Sequence, residues 1–395
     1  MLQITSPING AILNHNHGIE TEKSLKIKVT GISQAGTPVM VNGVMATMDG
    51  LNFSADVELT QKVNKISASA YSVNGMYTQD VTVLWDKNSY KRYSFFIDDH
   101  SFLFTDLAKE RPARAFDHFY LAGLKKIHEE SGLKVTLNCF FHNDHHEFTL
   151  DQMPDIWKSE FIDNSDWLKL SFHAKSEFPD RPYAEASAEE FGADWDQVER
   201  EIERFAGKET FILPQVIHWA NVSMPVAQEC LRRGMKCYHN TFRLRVMGGP
   251  SLAERQAGGA FQKATVAEKE STGFDTNMGI KLHYGFTNEI TRFNNHFQYY
   301  DPLMDVIFNH CILTANLTPL ADIPAVMEKA IRDAEACGCE AMGGGSHEQY
   351  SFPYYVNYLP DHMERLALIC RIFKEAGYAG TFFAYGLLGN EVWGK

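Results

Sequence analysis

The residues able to do chemistry gather at the ends of apolar runs. Tyr93-Ser-Phe-Phe-Ile-Asp-Asp-His100 is a short hydrophobic stretch that stops at two acids and an imidazole, groups that bind metal ions or move protons. A buried strand that delivers carboxylates to its C-terminal end is the arrangement of a parallel α/β sheet or barrel, which keeps its chemistry on that face. Later apolar runs end in the same way. Val135–Phe141 meets His142, Trp167–Phe172 meets His173, Phe211–Ile217 meets His218, Met235–Tyr238 meets His239, Asp305–Asn309 meets His310, and Glu340–Ser346 meets His347. One such ending means little, but six after the first make a pattern.

The elements that must position these groups can be read from the spacing. From about residue 91 strands alternate with helices: 114–130 carries apolar residues at helical intervals and stops at Gly132, and 187–205 opens on a Ser187-Ala-Glu-Glu190 capping box and stops at Gly207. The stretches 225–233, 323–336 and 359–376 repeat the unit, and a last strand is expected at 380–385. Seven or eight such units, with strands too apolar to face water, fit a barrel over 89–395 better than an open sheet. The segment at about 241–300 is too long for a plain connection, so an elaborated insertion over the active-site face is expected there. Residues 1–88 read differently. Short alternating runs such as Leu25–Thr30, Phe53–Leu59 and Val81–Trp85, punctuated by Asn9-Gly10, Asn42-Gly43, Asp49-Gly50 and Asn74-Gly75, predict a small all-β sandwich.

Composition excludes several classes of function. Hydrophobic residues make up 44% of the chain and charged ones 22%, so a folded globular protein is expected. No uninterrupted apolar stretch of membrane-spanning length is present. The net charge is −13, of which residues 1–90, with six Lys, no Arg and seven acids, hold −1. A surface of this sign disfavours nucleic acid and anionic membranes and suits a neutral or amino sugar better than an anionic polymer. The seven cysteines are scattered, and Cys337 and Cys339 lack a matching pair, so neither a disulfide scaffold nor a cysteine zinc site is expected. With no leader at Met1–Pro7, a cytoplasmic location is expected, or a secreted one if a leader has been trimmed. Oligomeric state is left open.

Phe96-Ile-Asp-Asp99 resembles the first motif of NodB-type polysaccharide deacetylases, and Leu170-Ser-Phe-His173 and Ser346-His-Glu-Gln-Tyr350 fall where that family carries its metal-binding and acid histidines. The order of elements over about 92–386 is similar as well, and the resemblance implies a barrel of the distorted (β/α)7 type. The resemblance implies that Asp98 is the general base, that Asp99 and His173 bind a divalent metal (zinc first, with nickel, cobalt or manganese as alternatives), and that His347 is the acid. The family's second histidine is replaced by Glu177, so the third ligand is Glu177, His142 or His218. The family's Arg-x-Pro arginine is absent from Pro214-Gln-Val-Ile-His-Trp219. Residues 1–88 resemble the immunoglobulin-like modules of bacterial carbohydrate enzymes through Ile4–Gly10, Val39–Gly43 and Phe53–Leu59, and packing against the catalytic part is their expected role.

The chemistry implied is removal of an N- or O-acyl group from a carbohydrate by metal-activated water, with Trp219, Tyr350, Tyr354 and Tyr355 as a wall for a sugar ring. Two other readings stand beside it. Asp98 or Asp99 with Glu348 would make the carboxylate pair of a glycoside hydrolase. The missing histidine and arginine would suit a glycan-binding protein without turnover. Glu348 could otherwise be the acid or orient a histidine. The run His142-Asn-Asp-His-His146 reads as a solvated loop, His239 and His310 as core or rim residues, and Gly343-Gly-Gly345 as room for a ligand or a tight turn.

Overall fold

The computed structural model describes residues 2–72, 75–220, 222–239 and 297–394. Residues up to 85 form ten strands: β1 (Leu2–Ser6), β2 (Ile12–Leu13), β3 (Gly18–Glu20), β4 (Leu25–Ser33), β5 (Val39–Val41), β6 (Val44–Met45), β7 (Thr47–Asp49), β8 (Asn52–Leu59), β9 (Val63–Ser72) and β10 (Gly75–Trp85). They make two sheets, one ordered β1-β4-β8-β7 with β3 on β4, the other β2-β10-β9-β5-β6. The alternation seen in the sequence is the alternation of burial: in β4 Leu25, Ile27 and Val29 face inward while Lys26 and Lys28 face out. Ile27, Val29, Val41, Ile66, Val83 and Trp85 lie in a core of the all-β part's own. Asn42 and Gly43 both take left-handed φ, 46° and 81°, which is the turn geometry that joins β5 to β6.

The rest is a mixed α/β structure around a mostly parallel sheet. Its strands are β11 (Arg92–His100), β12 (Val135–Phe140), β13 (Leu168–Ala174), β14 (Cys237–His239), β15 (Gln298–Asp301), β16 (Val306–Asn309), β17 (Cys311–Thr314), β18 (Ala341–His347) and β19 (Ala379–Gly380). Helices α1 (Phe102–Glu110), α2 (Phe119–Ser131), α3 (Lys158–Asp163), α4 (Ala188–Ala206), α5 (Met224–Arg232), α6 (Ile323–Ala336) and α7 (His362–Glu375) surround them. All nine residues of β11 are buried, as suits a strand covered on both faces. It lies between β12 and β18, all three parallel, in a sheet ordered β13-β12-β11-β18-β17.

A closed barrel does not form among the described residues. A second sheet, β14-β16-β15, stands apart from the first. The Phe211–Ile217 run expected as a strand only brushes its neighbours: the Leu170 and Ile212 amides each bond across, to Thr210 and Leu170, and the His239 amide donates to the Gln215 carbonyl at 2.8 Å. Pro214 interrupts that run and has no N–H to extend a ladder. The last strand is also shorter than expected, because only Ala379 and Gly380 pair with β11. The insertion expected at about 241–300 falls outside the described residues except for 297–300. No described helix is long and apolar enough to cross a membrane.

The three glycines of β18 are neither a turn nor a ligand approach. They sit mid-strand, and a Cβ on Gly345 would lie 2.4 Å from the Phe96 ring, one on Gly343 2.4 Å from Asn309. Their missing side chains make room for bulky neighbours on both faces of the sheet: Asn309, His239 and Phe96 at Gly343 and Gly345, and Phe95 at Gly344. Where the two parts meet, Leu84, Tyr300, Ile307, Phe383 and Leu388 form a small apolar cluster. Arg92, wholly buried, ties the connection together: it bonds Asp86 Oδ2 at 2.8 Å and the carbonyls of Leu387 and Leu388 at 3.1 and 2.6 Å.

Candidate metal centre

Consecutive residues of a regular strand point to opposite faces, so Asp98 and Asp99 should not reach one site. The backbone breaks that rule. Asp99 has φ +67°, a left-handed conformation, and the β11–β12 register slips between Ile97 and His100. Both carboxylates then approach one ring: Asp99 Oδ1 is 3.2 Å from His173 Nε2, and Asp98 Oδ1 is 3.9 Å from His173 Nδ1. His100 is turned into the core, where it meets the Tyr120 hydroxyl at 3.1 Å and burial pushes its pKa down to about 3.

Asp99, His173 and His218 form a compact group of three buried donors. His218 Nδ1 lies 3.1 Å from His173 Nε2 and 3.5 Å from Asp99 Oδ1. A tetrahedral ion with ligands at about 2.0–2.1 Å has ligand-to-ligand edges of about 3.3–3.4 Å, close to this triangle. Asp99 Oδ1 is buried and accepts no hydrogen bond of good geometry. An orphaned carboxylate oxygen facing two imidazole nitrogens is what an oxygen-and-nitrogen cation site requires. The far nitrogen of each ring faces a backbone carbonyl: His173 Nδ1 meets Val216 at 3.3 Å and His218 Nε2 meets Glu177 at 3.2 Å. Donation there fixes both tautomers and turns the lone pairs inward.

The electrostatics fit the same picture. Burial pushes His218 down to about 3, which keeps the ring neutral with its lone pair free. Burial would also depress His173, but Asp98 and Asp99 hold it above its ordinary value. Burial would raise Asp99, yet the His173 ring 3.2 Å away and the other nearby histidines hold it below the usual carboxylate range. Asp98 goes the other way: burial raises it, against the pull of His173 and His347. Asp98 lies outside the triangle, with Oδ1 nearest His173 Nδ1, and its raised pKa makes it the candidate proton acceptor.

Two amides that no sequence signal had singled out hold the proton-transfer groups. Asn138 Nδ2, on β12, donates to Asp98 Oδ1 at 2.6 Å. Asn316 Oδ1 lies 3.0 Å from His347 Nδ1 and accepts the backbone N–H of the same residue at 3.2 Å. His347 Nδ1 then carries the proton toward Asn316 and leaves Nε2 for the site. β11 and β18 pair Asp98 with His347 directly, so base and acid candidates stand on adjacent strands. A polar residue inside the buried run Val135–Phe140 could have marked Asn138; Asn316, in a short turn after β17, offered nothing of the kind.

Other expected site residues lie elsewhere. The Glu177 carboxylate accepts from His145 Nε2 at 2.6 Å and is outside the described group of three, which His218 completes. His142 is exposed and pairs with Asp144 at 3.1 Å, away from the triangle. Glu348, read from the sequence as an acid or the second member of a carboxylate pair, is engaged by backbone donors, and burial pushes its pKa up to about 8. It is wholly buried and accepts the backbone N–H groups of Ser101, Phe102 and Leu103 at 2.8, 2.9 and 2.7 Å.

Trp219 comes directly after His218 with φ +64° and stacks under the Arg181 guanidinium at 4.7 Å. Tyr354 is exposed and stacks on Phe102 at 5.5 Å, and Tyr350 is buried against Tyr355 at 5.4 Å, with His347 at 6.4 Å. Of the expected aromatic wall, Tyr354 is the face open to solvent. His239 is buried in the interior beside Phe96, and neither it nor His310 joins the described metal group.

No family model matches the chain, and no curated protein matches it. Among solved structures it is similar over 95% of its length to a Bacteroides ovatus GH5 xyloglucanase in complex with a XXXG heptasaccharide, at 10% identity, 99% of that chain and a TM-score of 0.26. It is similar over 22% to a modular endo-beta-1,4-mannanase from Cellulomonas fimi, at 15% identity, 18% of that chain and a TM-score of 0.16. Titin domains z1z2, solved with telethonin, match over 25%, at 11% identity, 58% of that chain and a TM-score of 0.17. The chain thus spans less than two thirds of the mannanase and titin chains. Likeness at these scores carries no argument about fold or function.

Proposed function

We propose that this chain is a metal-dependent hydrolase that removes an N- or O-acyl group, acetyl in the simplest case, from a carbohydrate. The observation that carries the reading is the triangle of Asp99 Oδ1, His173 Nε2 and His218 Nδ1, with edges of 3.1–3.5 Å, flanked by an unligated buried carboxylate on one side and a histidine on the next strand. A divalent ion held there, zinc by the donor set, would lower the pKa of water and stabilise the oxyanion formed from the acyl carbonyl. Asp98, aligned by Asn138, takes the proton of the attacking water. His347, with Nδ1 fixed by Asn316, gives a proton from Nε2 to the departing amine or alcohol. The carbohydrate rests on the NodB-like motif at Phe96–Asp99, the net charge of −13 and the exposed Tyr354 ring. In this reading 89–395 is an incompletely closed deacetylase-type (β/α) barrel, and 1–88 an immunoglobulin-like module packed on it.

Against the paired-carboxylate alternative stand the three backbone donors that engage both oxygens of Glu348. The test is metal content of the purified protein by mass spectrometry, together with acetate release from acetylated oligosaccharides. Wild type should hold about one ion per chain, and His173→Ala and His218→Ala should lose both ion and turnover. Wild type that stays metal-free after loading with zinc, nickel, cobalt or manganese would overturn the reading. Tight sugar binding without acetate release at full metal loading would favour a glycan-binding protein.

A further inference from the structure

The geometry points to Glu348 as the residue that holds Asp99 in its ligating conformation. It is a positioning residue reaching from the end of β18, which carries the candidate acid, to the start of α1, just after the β11 end that carries the candidate base and a metal ligand. This rests on the metal-centre reading above and deepens it.

A left-handed φ at a residue other than glycine persists only where the surroundings impose it. Asp99 is such a residue, and α1 begins three positions later, at Phe102. Ser101, the residue before that helix, gives no side-chain cap; its hydroxyl lies near the Asp99 carbonyl instead, at 3.4 Å. The first N–H groups of a helix need an acceptor, and here one carboxylate from a different strand end supplies all three contacts. Both Glu348 oxygens face N–H donors, which favour the carboxylate, while burial pushes its pKa up to about 8; either form keeps acceptor oxygens for the clamp.

Glu348 comes directly after His347, and His347 pairs with Asp98 across β11 and β18. The Glu348 carboxylate therefore closes a ring: strand β18, the clamp on Ser101–Leu103, the kinked Asp98–Asp99 corner, and back across the strand pair. With the clamp released, Asp99 is free to relax to extended backbone. Strand alternation would then turn its carboxylate to the face away from Asp98, and the triangle would lose its oxygen.

The experiment measures zinc affinity by chelator competition in wild type, Glu348→Gln, Glu348→Ala and Leu107→Ala. Leu107 is a buried residue of the same helix, a turn beyond the clamp, so it controls for a destabilised α1. Glu348→Ala should weaken zinc by about ten-fold or more, Glu348→Gln by less, and Leu107→Ala by no more than about two-fold at a matched loss of melting temperature. Wild-type affinity in both Glu348 variants, or an equal fall in Leu107→Ala, would overturn the proposal.

Amide hydrogen exchange gives a second readout that needs no metal. Glu348→Gln should speed exchange at Ser101, Phe102 and Leu103 while the rest of α1 stays protected, and unchanged exchange there would sink the clamp. Wild type that binds no zinc would remove the metal centre itself, and the exchange data would still decide whether Glu348 holds this corner.

Discussion

At the scale of residues, the site depends on small groups that fix the direction of larger ones. Asn316 is the clearest case. Its oxygen accepts from the Ser346 hydroxyl and faces His347 Nδ1, so it decides which imidazole nitrogen carries the proton. Replacing it with Ala should lower kcat for deacetylation by about ten- to a hundred-fold with KM little changed, less than the loss expected when a general acid is removed outright. Asn316→Asp should restore most of the rate, because it keeps the acceptor; a variant whose KM rises and whose kcat holds would place Asn316 outside this role. The His145–Glu177 pair acts on stability. Burial would lower His145, but the Glu177 hydrogen bond and charge hold it above its ordinary value, and burial raises Glu177 despite His145. Both groups then keep protons more tightly in the fold than in the unfolded chain. The His145 contribution is present below the unfolded histidine value and is lost as pH rises through the raised one, whereas the Glu177 contribution is already being lost as pH rises above the unfolded glutamate value. Urea unfolding from about pH 6 to about pH 8 should show stability falling more steeply in wild type than in a His145→Gln, Glu177→Gln double variant. Equal slopes would contradict this assignment.

At the scale of elements, β11 and β18 carry the site, and their packing explains the glycine run between them. Adding one methyl at Gly345 places it 2.4 Å from a buried Phe96 ring that already packs on His239 at 4.7 Å. Gly345→Ala should therefore cost about 1–3 kcal/mol of stability, the usual penalty of overpacking a full core. Thermal unfolding checks it, and a change below about 0.5 kcal/mol would mean that Phe96 has room to move. The helices do simpler work. α4 begins where the capping box says it should, with Ser187 and Glu190 bonded to each other's backbone, because that signal is local and complete within four residues.

At the scale of the whole molecule, the all-β and α/β parts are joined by buried polar chemistry as well as apolar contact. Arg92 gathers the connection (Asp86), the start of β11 and the C-terminal segment (Leu387 and Leu388) around one guanidinium. Trp393 seals the same junction, donating from Nε1 to the Trp85 carbonyl at 2.8 Å. Arg92→Ala leaves Asp86 as a buried charge without its partner and should cost about 3–5 kcal/mol. An Asp86→Ala, Arg92→Met double variant, which removes both charges, should recover part of that loss. Calorimetry of the three proteins measures it, and a single variant as stable as wild type would show that the junction does not depend on this pair.

What the sequence determined was set by local rules. Alternation placed the inward residues of β4, Gly207 and the Ser187 box bounded α4, and apolar runs ending in Asp98, Asp99, His173 and His347 marked the strand ends that face one another. Each of these signals is complete within one segment, where period and capping act. The rest required parts of the chain that only folding brings together. Which residue completes the triangle was open between Glu177, His142 and His218. The answer came from His145, far from Glu177 in sequence, which engages its carboxylate and leaves the third position to His218. Glu348 read as an acid because nothing near it in sequence showed the three backbone donors that occupy it. The two neighbouring aspartates share a site only through a backbone kink that their own sequence disfavours and tertiary contacts hold in place.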